Sequence, residues 1–128
     1  MRTRQDVENY LLTSPYACEE VADGTWLIHD RSQPEDTIVL RIEGELVVYR
    51  LKVLDASHIK DPAGLYKRLL ELNGSDMAHG AYALSEGNVV LTSVARLGTL
   101  DPEELQSMVD DFILAVQNHH RELKAFCS

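Results

Sequence analysis

Cys18 and His29 are the thiol and imidazole whose spacing could support covalent chemistry. Asp23-Gly24 reads as a two-residue type I′ hairpin loop. That loop would set Val21 opposite Trp26, Glu19 opposite Ile28, and Cys18 opposite His29. A thiolate beside an imidazole is a nucleophile with its base. Cross-strand Cys–His pairs are more often plain neighbours, and nothing close in sequence lowers the Cys18 pKa. The expectation is a protein that is not an enzyme and has no catalytic residue.

Other chemistry lacks the required spacing. The histidines are His29, His58, His79, His119 and His120, and none forms HxxxH or HExxH on a helix. No metal site is expected. His119 and His120 would point about 100° apart on a helix, and they read as solvated side chains near a helix end. There is no GxSxG, no P-loop and no GxGxxG after a strand. No cofactor is expected. Cys18 and Cys127 form no CxxC and read as reduced structural thiols.

A chain of 128 residues predicts one domain spanning 1–128. With 45% apolar and 26% charged residues it predicts an ordinary folded protein. A formal charge of −9 and a pI near 4.9 argue against nucleic acid and anionic membranes as partners. A basic or mixed protein segment suits that charge better. No apolar run follows Met1 as in a signal peptide, and none approaches the ~18–20 residues of a membrane span. A cytoplasmic location is expected.

These side chains need elements to hold them, and the stretch Thr37–Leu54 organises the rest. Two β-rich runs flank Gly44-Glu45, which reads as a type II′ loop with Gly44 at positive φ. Ile42 then faces Val47, Leu40 faces Tyr49, and Ile38 faces Leu51. The opposite face mixes Arg41, Arg50 and Lys52 with Val39, Leu46 and Val48. A strictly half-solvated sheet alternates more cleanly. The mixed face therefore either lies beneath the second helix or is a patch for a partner.

A first helix covers residues 4–13, capped by Thr3 and ended by Ser14-Pro15. Asp61-Pro62 starts a second helix, and Asn73-Gly74 reads as its stop. Its stripe of Leu65, Tyr66, Leu69, Leu70 and Leu72 is wide enough to need cover on two sides. A hairpin with Glu86-Gly87 at the turn pairs Leu84 with Val89 and Tyr82 with Leu91. Asp101-Pro-Glu-Glu opens the last helix, whose core stripe centres on Phe112. The fold class is α+β: an antiparallel twisted sheet of hairpins, helices at both termini, and a short central helix.

This order resembles the type III secretion chaperone-like fold, shared by the CesT-type chaperones and the YbjN domain. The likeness is sharpest in Leu69-Leu-Glu-Leu-Asn-Gly, Gly80-Ala-Tyr-Ala-Leu-Ser-Glu-Gly-Asn-Val-Val-Leu and Leu100-Asp-Pro-Glu-Glu-Leu. The resemblance implies a bacterial, homodimeric, peptide-binding chaperone without enzymatic activity. It implies a central helix at the dimer interface and a client running extended over apolar patches.

The leading expectation is a module that binds an extended apolar segment of a client protein, in grooves beside the first helix or at a sheet edge. Val7, Tyr10, Leu11, Val39 and Val48 are the candidate client contacts. Leu65, Tyr66, Leu69 and Leu70 are the candidate dimer interface. The alternative is a ligand-sensing or regulatory domain with a small-molecule pocket between sheet and helices, near Trp26 and Tyr49.

Overall fold

The central hairpin forms as its alternation dictates. In the computed structural model, which describes residues 1–128, β3 (Ile38–Glu43) and β4 (Leu46–Leu54) pair with Ile38 opposite Leu51, Leu40 opposite Tyr49 and Ile42 opposite Val47. Gly44 takes φ +60° in the loop, and Glu45 stays at negative φ, as a type II′ turn requires. Around this pair lie β1 (Ala17–Ala22), β2 (Thr25–His29), β5 (Ala81–Ser85) and β6 (Asn88–Arg96). All neighbours are antiparallel, in the order β1-β2-β3-β4-β6-β5.

Three helices complete the α+β fold: α1 (Arg4–Leu12), α2 (Pro62–Ser75) and α3 (Pro102–Lys124). Each begins where a short polar side chain satisfies free backbone donors. The Asp6 carboxylate accepts from the Thr3 amide at 2.7 Å, Asp61 from Gly64 at 3.2 Å, and Asp101 from Glu104 at 2.8 Å. Proline stands at the first position of α2 and α3, where no amide hydrogen is needed.

All three helices lie on one face of the sheet. Val7 and Leu11 of α1, Leu65, Leu69 and Leu72 of α2, and Phe112 of α3 share one core cluster with Trp26, Leu40, Tyr49 and Leu91. Phe112 is the hub. Its ring meets Tyr49 edge-on, with centroids 6.4 Å apart at 69°. It also presses on Gly80, at φ +76°, where an added Cβ would stand 2.7 Å from the ring. Only glycine fits there, on both conformational and steric grounds.

Two local expectations need correction. A turn forms at Asp23-Gly24 and Ala22 faces Thr25, but only Gly24 takes positive φ, so the turn is not type I′, and Val21 is bulged out of the ladder. Beyond it the register moves by one, so Glu20 faces Trp26 and Cys18 faces Ile28. Val21 therefore does not oppose Trp26, nor Glu19 Ile28. At the second site, α2 runs through Asn73-Gly74 to Ser75 and Asp76 caps it. Gly74 keeps negative φ, and the Asn73 amide bonds the sheet instead.

Phe112→Ala should lower unfolding stability by about 3–5 kcal/mol, because the vacated space is walled by a sheet and a glycine turn that cannot collapse into it. Urea unfolding followed by circular dichroism measures this. An unchanged midpoint would mean that α3 is not docked as described.

Candidate functional site

The bulge at Val21 decides the fate of the thiol–imidazole pair. Cys18 now points to the helix side of the sheet, while His29 pairs with Ala17 and points to the other. A one-residue slip exchanges the two faces of a strand, so the pair is not assembled. Cys18 is half-buried and its thiol contacts the Tyr16 carbonyl at 3.5 Å. Burial pushes its pKa up, against smaller opposing effects of Ser14 and Arg31. That disfavours the thiolate.

A different polar group lies inside the molecule. His119 is buried, not solvated, and its Nδ1 meets the Tyr82 hydroxyl at 2.7 Å. Its Nε2 meets the Asp76 carboxylate at 3.3 Å. The chain of carboxylate, imidazole and hydroxyl has the order of a nucleophile relay. Its hydroxyl is the wrong group for that work: burial drives the Tyr82 pKa upward, and the Glu122 and Asp76 charges add to the effect. The group acts as a polar tie between α3, β5 and the end of α2. Adjacent His120 is exposed. Asp76 itself is held below its usual pKa, first by the Ser75 hydroxyl and then by His119.

The expected pocket near Trp26 and Tyr49 is divided. Both residues are buried, but Tyr49 alone reaches a hollow of about 260 Å³ beside His79, Asp101, Glu104 and Met108. The Tyr49 hydroxyl has no hydrogen-bond partner, and burial followed by the nearby Glu104 charge raises its pKa. Trp26 instead stacks beneath the Arg4 guanidinium, 5.5 Å from the ring centroid.

Two apolar surfaces are left uncovered. The first joins α2 to β5. Leu65 and Leu69 turn inward, at 0% and 5% exposure, while Tyr66 is half-buried and Leu70 is 71% exposed. Tyr66 and Leu70 border a shallow hollow of about 310 Å³ with Tyr82 and Leu84. The second is the helix-free face of the sheet. Val39 and Val48 stand there, half-buried, beside Leu27, Leu46 and Val94. No helix covers this face, so the alternative of α2 packing over Val39, Leu46 and Val48 is excluded.

The five expected client contacts therefore do not share one surface. Val7 and Leu11 are core residues at 0% and 4% exposure, because α1 packs its stripe onto the sheet. They offer nothing to a client in this conformation. Tyr10 is half-buried and donates to the Leu100 carbonyl at 3.2 Å. Only Val39 and Val48 share a face. Leu27, Leu84 and Val94 extend the two surfaces and are not among the expected contacts. Their signal was strand alternation, which marks Leu27 as pointing away from Trp26 and Ile28.

Over residues 1–128 the sequence matches the CesT_Tir_1 family. The chain belongs to that family. Solved structures with the same fold include the heterodimeric complex ExoU–SpcU from the type III secretion system of Pseudomonas aeruginosa. Its matching chain has a TM-score of 0.66 at 20% identity, over 95% of this chain and 98% of that one. The HopA1–SchA chaperone–effector complex matches with a TM-score of 0.61 at 12% identity, covering 90% of this chain and 93% of that one. The ExsC–ExsE complex matches with a TM-score of 0.58 at 15% identity, covering 96% and 97%. At these identities the likeness is one of fold. No curated protein matches the sequence. No helix of this CesT_Tir_1 member is long and apolar enough to cross a membrane.

Because burial raises the Cys18 pKa, its alkylation by iodoacetamide at neutral pH should be slower than that of a free thiol in a denatured sample, and should accelerate as pH rises. Timed quenching with peptide mass spectrometry reads both rates. A native Cys18 faster than the denatured one would restore the activated-thiol reading.

Proposed function

We propose that residues 1–128 form a non-enzymatic chaperone module that holds an extended apolar segment of a client protein. The observation that carries this reading is the uncovered sheet face around Val39 and Val48. A sheet built only to close a core has no need of Leu27, Val39, Leu46, Val48 and Val94 on its solvent side. Among the structures sharing the fold, HopA1–SchA is a chaperone–effector complex and ExoU–SpcU is a heterodimeric complex from a type III secretion system. They support the same class of partner for this family member.

Val39 and Val48 are the client contacts in this reading; Tyr10, on α1, is a separate contact on the helix side of the sheet. Val7 and Leu11 seat α1 from beneath.

The second part of the proposal is a homodimer through the α2–β5 surface. Tyr66 and Leu70 supply its exposed apolar side chains, and Leu65 and Leu69 pack behind them. A two-fold contact would bring the same patch against itself. Burying a leucine as exposed as Leu70 contributes about 1.5–3 kcal/mol.

Leu70→Glu should abolish the dimer and leave the monomer folded, because Leu70 points away from the core. Light scattering across a dilution series should give wild type near twice 14.4 kDa and the variant near 14.4 kDa. A wild type that stays monomeric at high concentration overturns the dimer. For the client, affinity capture from the native organism is run with wild type and with Val39→Asp/Val48→Asp. A protein retained by wild type and lost with the variant supports the chaperone reading. Identical capture by both removes the sheet face from it.

A further inference from the structure

The net charge of −9 suggests a basic partner, but the charge is not spread evenly. The helix-free face carries Arg41, Arg50, Lys52 and Arg96 against two strand carboxylates, Glu19 and Glu43. The chain as a whole has 12 Lys and Arg against 21 Asp and Glu. The balance on this face is thus reversed from that of the molecule. Glu43 pairs with Arg41, and Lys52 pairs with Asp55 at 2.6 Å. Arg50 has only the Ser85 hydroxyl, at 3.5 Å, and Arg96 has no ion pair.

Register places these cations among the apolar side chains. Arg50 lies between Val39 and Thr92 in one cross-strand row. Val48 lies between Arg41 and Val94 in the next, and Leu46 pairs with Arg96. Along β4 the outward positions read Leu46, Val48, Arg50, Lys52, two apolar and then two cationic. Across the paired β4 and β6 rows the order is Arg50, then Val48 with Val94, then Arg96 beside Leu46, so cation, apolar pair and cation follow at two-residue steps. Residues i and i+2 of an extended segment share one face, at the same pitch.

The sheet edges are less open than its face. At β5 the Asn73 amide donates to the Tyr82 carbonyl at 3.0 Å and accepts from the Tyr82 amide at 2.7 Å. It occupies, at Tyr82, backbone groups that a further strand would use. At β1 the bulge at Val21 breaks the ladder, and Glu19 and Glu20 are exposed. Bulges and edge charges both discourage strand addition.

We infer that the outer sheet face selects an acidic–apolar extended segment, in which carboxylates alternate with apolar side chains on one side and meet Arg50 and Arg96. This rests on the chaperone reading above and specifies its client. The charges set selectivity and the apolar contacts add burial.

Three fluorescein-labelled dodecapeptides test it, with serine at every second position. The intervening positions alternate valine or leucine with glutamate in the first, glutamine in the second and lysine in the third. Fluorescence anisotropy on the full chain should show the glutamate peptide binding about tenfold tighter than the glutamine one, and the lysine peptide weakest. The preference should vanish near 1 M salt, where screening acts within about 3 Å. Arg50→Glu/Arg96→Glu, whose side chains are exposed, should keep its thermal midpoint and invert the order. A spin label on the glutamate peptide should broaden the methyl signals of Val39, Val48 and Val94, and not those of buried Val109.

Equal binding of the glutamate and glutamine peptides at those methyls overturns charge selection and leaves the apolar chaperone reading standing. A lysine preference overturns it in favour of the net charge. Binding by none of the three overturns the inference, and the chaperone reading then stands or falls on the Val39→Asp/Val48→Asp capture.

Discussion

One constraint governs the rest of this structure: three helices share one side of a six-stranded sheet. The register of β3 and β4 enforces it. Ile38, Leu40, Val47, Tyr49 and Leu51 all fall on the helix side and are fully buried. Because strand alternation is strict, Val39, Arg41, Val48 and Arg50 must fall on the other. The Gly44 turn sets that register, and α3 seals the inner layer through Phe112. What remains for a partner is whatever the inner layer does not need. The composition of the outer face is therefore informative in a way that the core is not.

The elements were legible because their signals are local and mutually consistent. Asp61-Pro62 and Asp101-Pro102 mark helix starts, and both act as such. The loops at Gly44-Glu45 and Glu86-Gly87 set pairings that the structure reproduces, Leu84 with Val89 among them. Two of the errors share a cause, which is that one residue serves a distant partner. Asn73-Gly74 looks like a helix stop, yet the Asn73 amide is held by the backbone of β5 and the helix continues. His119 looks like a solvated residue near a helix end, yet Tyr82 and Asp76 draw it inward. The extra residue at Val21 has no local mark, and it sets Glu20 opposite Trp26 where simple alternation expects Val21. That single bulge separates Cys18 from His29.

Site residues were less legible than elements. A helix stripe shows which residues are apolar and not how wide the covered arc is. Val7 and Leu11 were candidates for a client on the same grounds that make them core. On α2 the stripe divides between Leu65 and Leu69, which are buried, and Leu70, which is not. Only the placement of α2 against β5 decides this. Net charge was least legible of all: a total of −9 conceals a face whose cations outnumber its carboxylates.

The polar ties around α2 connect the two exposed surfaces to one rigid frame. Asn73 holds the backbone of Tyr82, the Tyr82 hydroxyl holds His119, and His119 meets Asp76 at the end of α2. Arg68 of α2 pairs with Glu122 of α3 beside them. Buried polar groups with partners on three elements specify one arrangement more narrowly than apolar packing does. Sliding α2 along the sheet would leave the buried imidazole or the Asn73 amide unpaired, at a cost of about 1–3 kcal/mol for each group. The outward stripe of α2 is thus presented at one height relative to β5. A self-complementary contact needs that rigidity, since the same patch must fit its own copy. The same ties occupy the β5 edge at Tyr82, and the open face of the sheet is the broad surface away from α2.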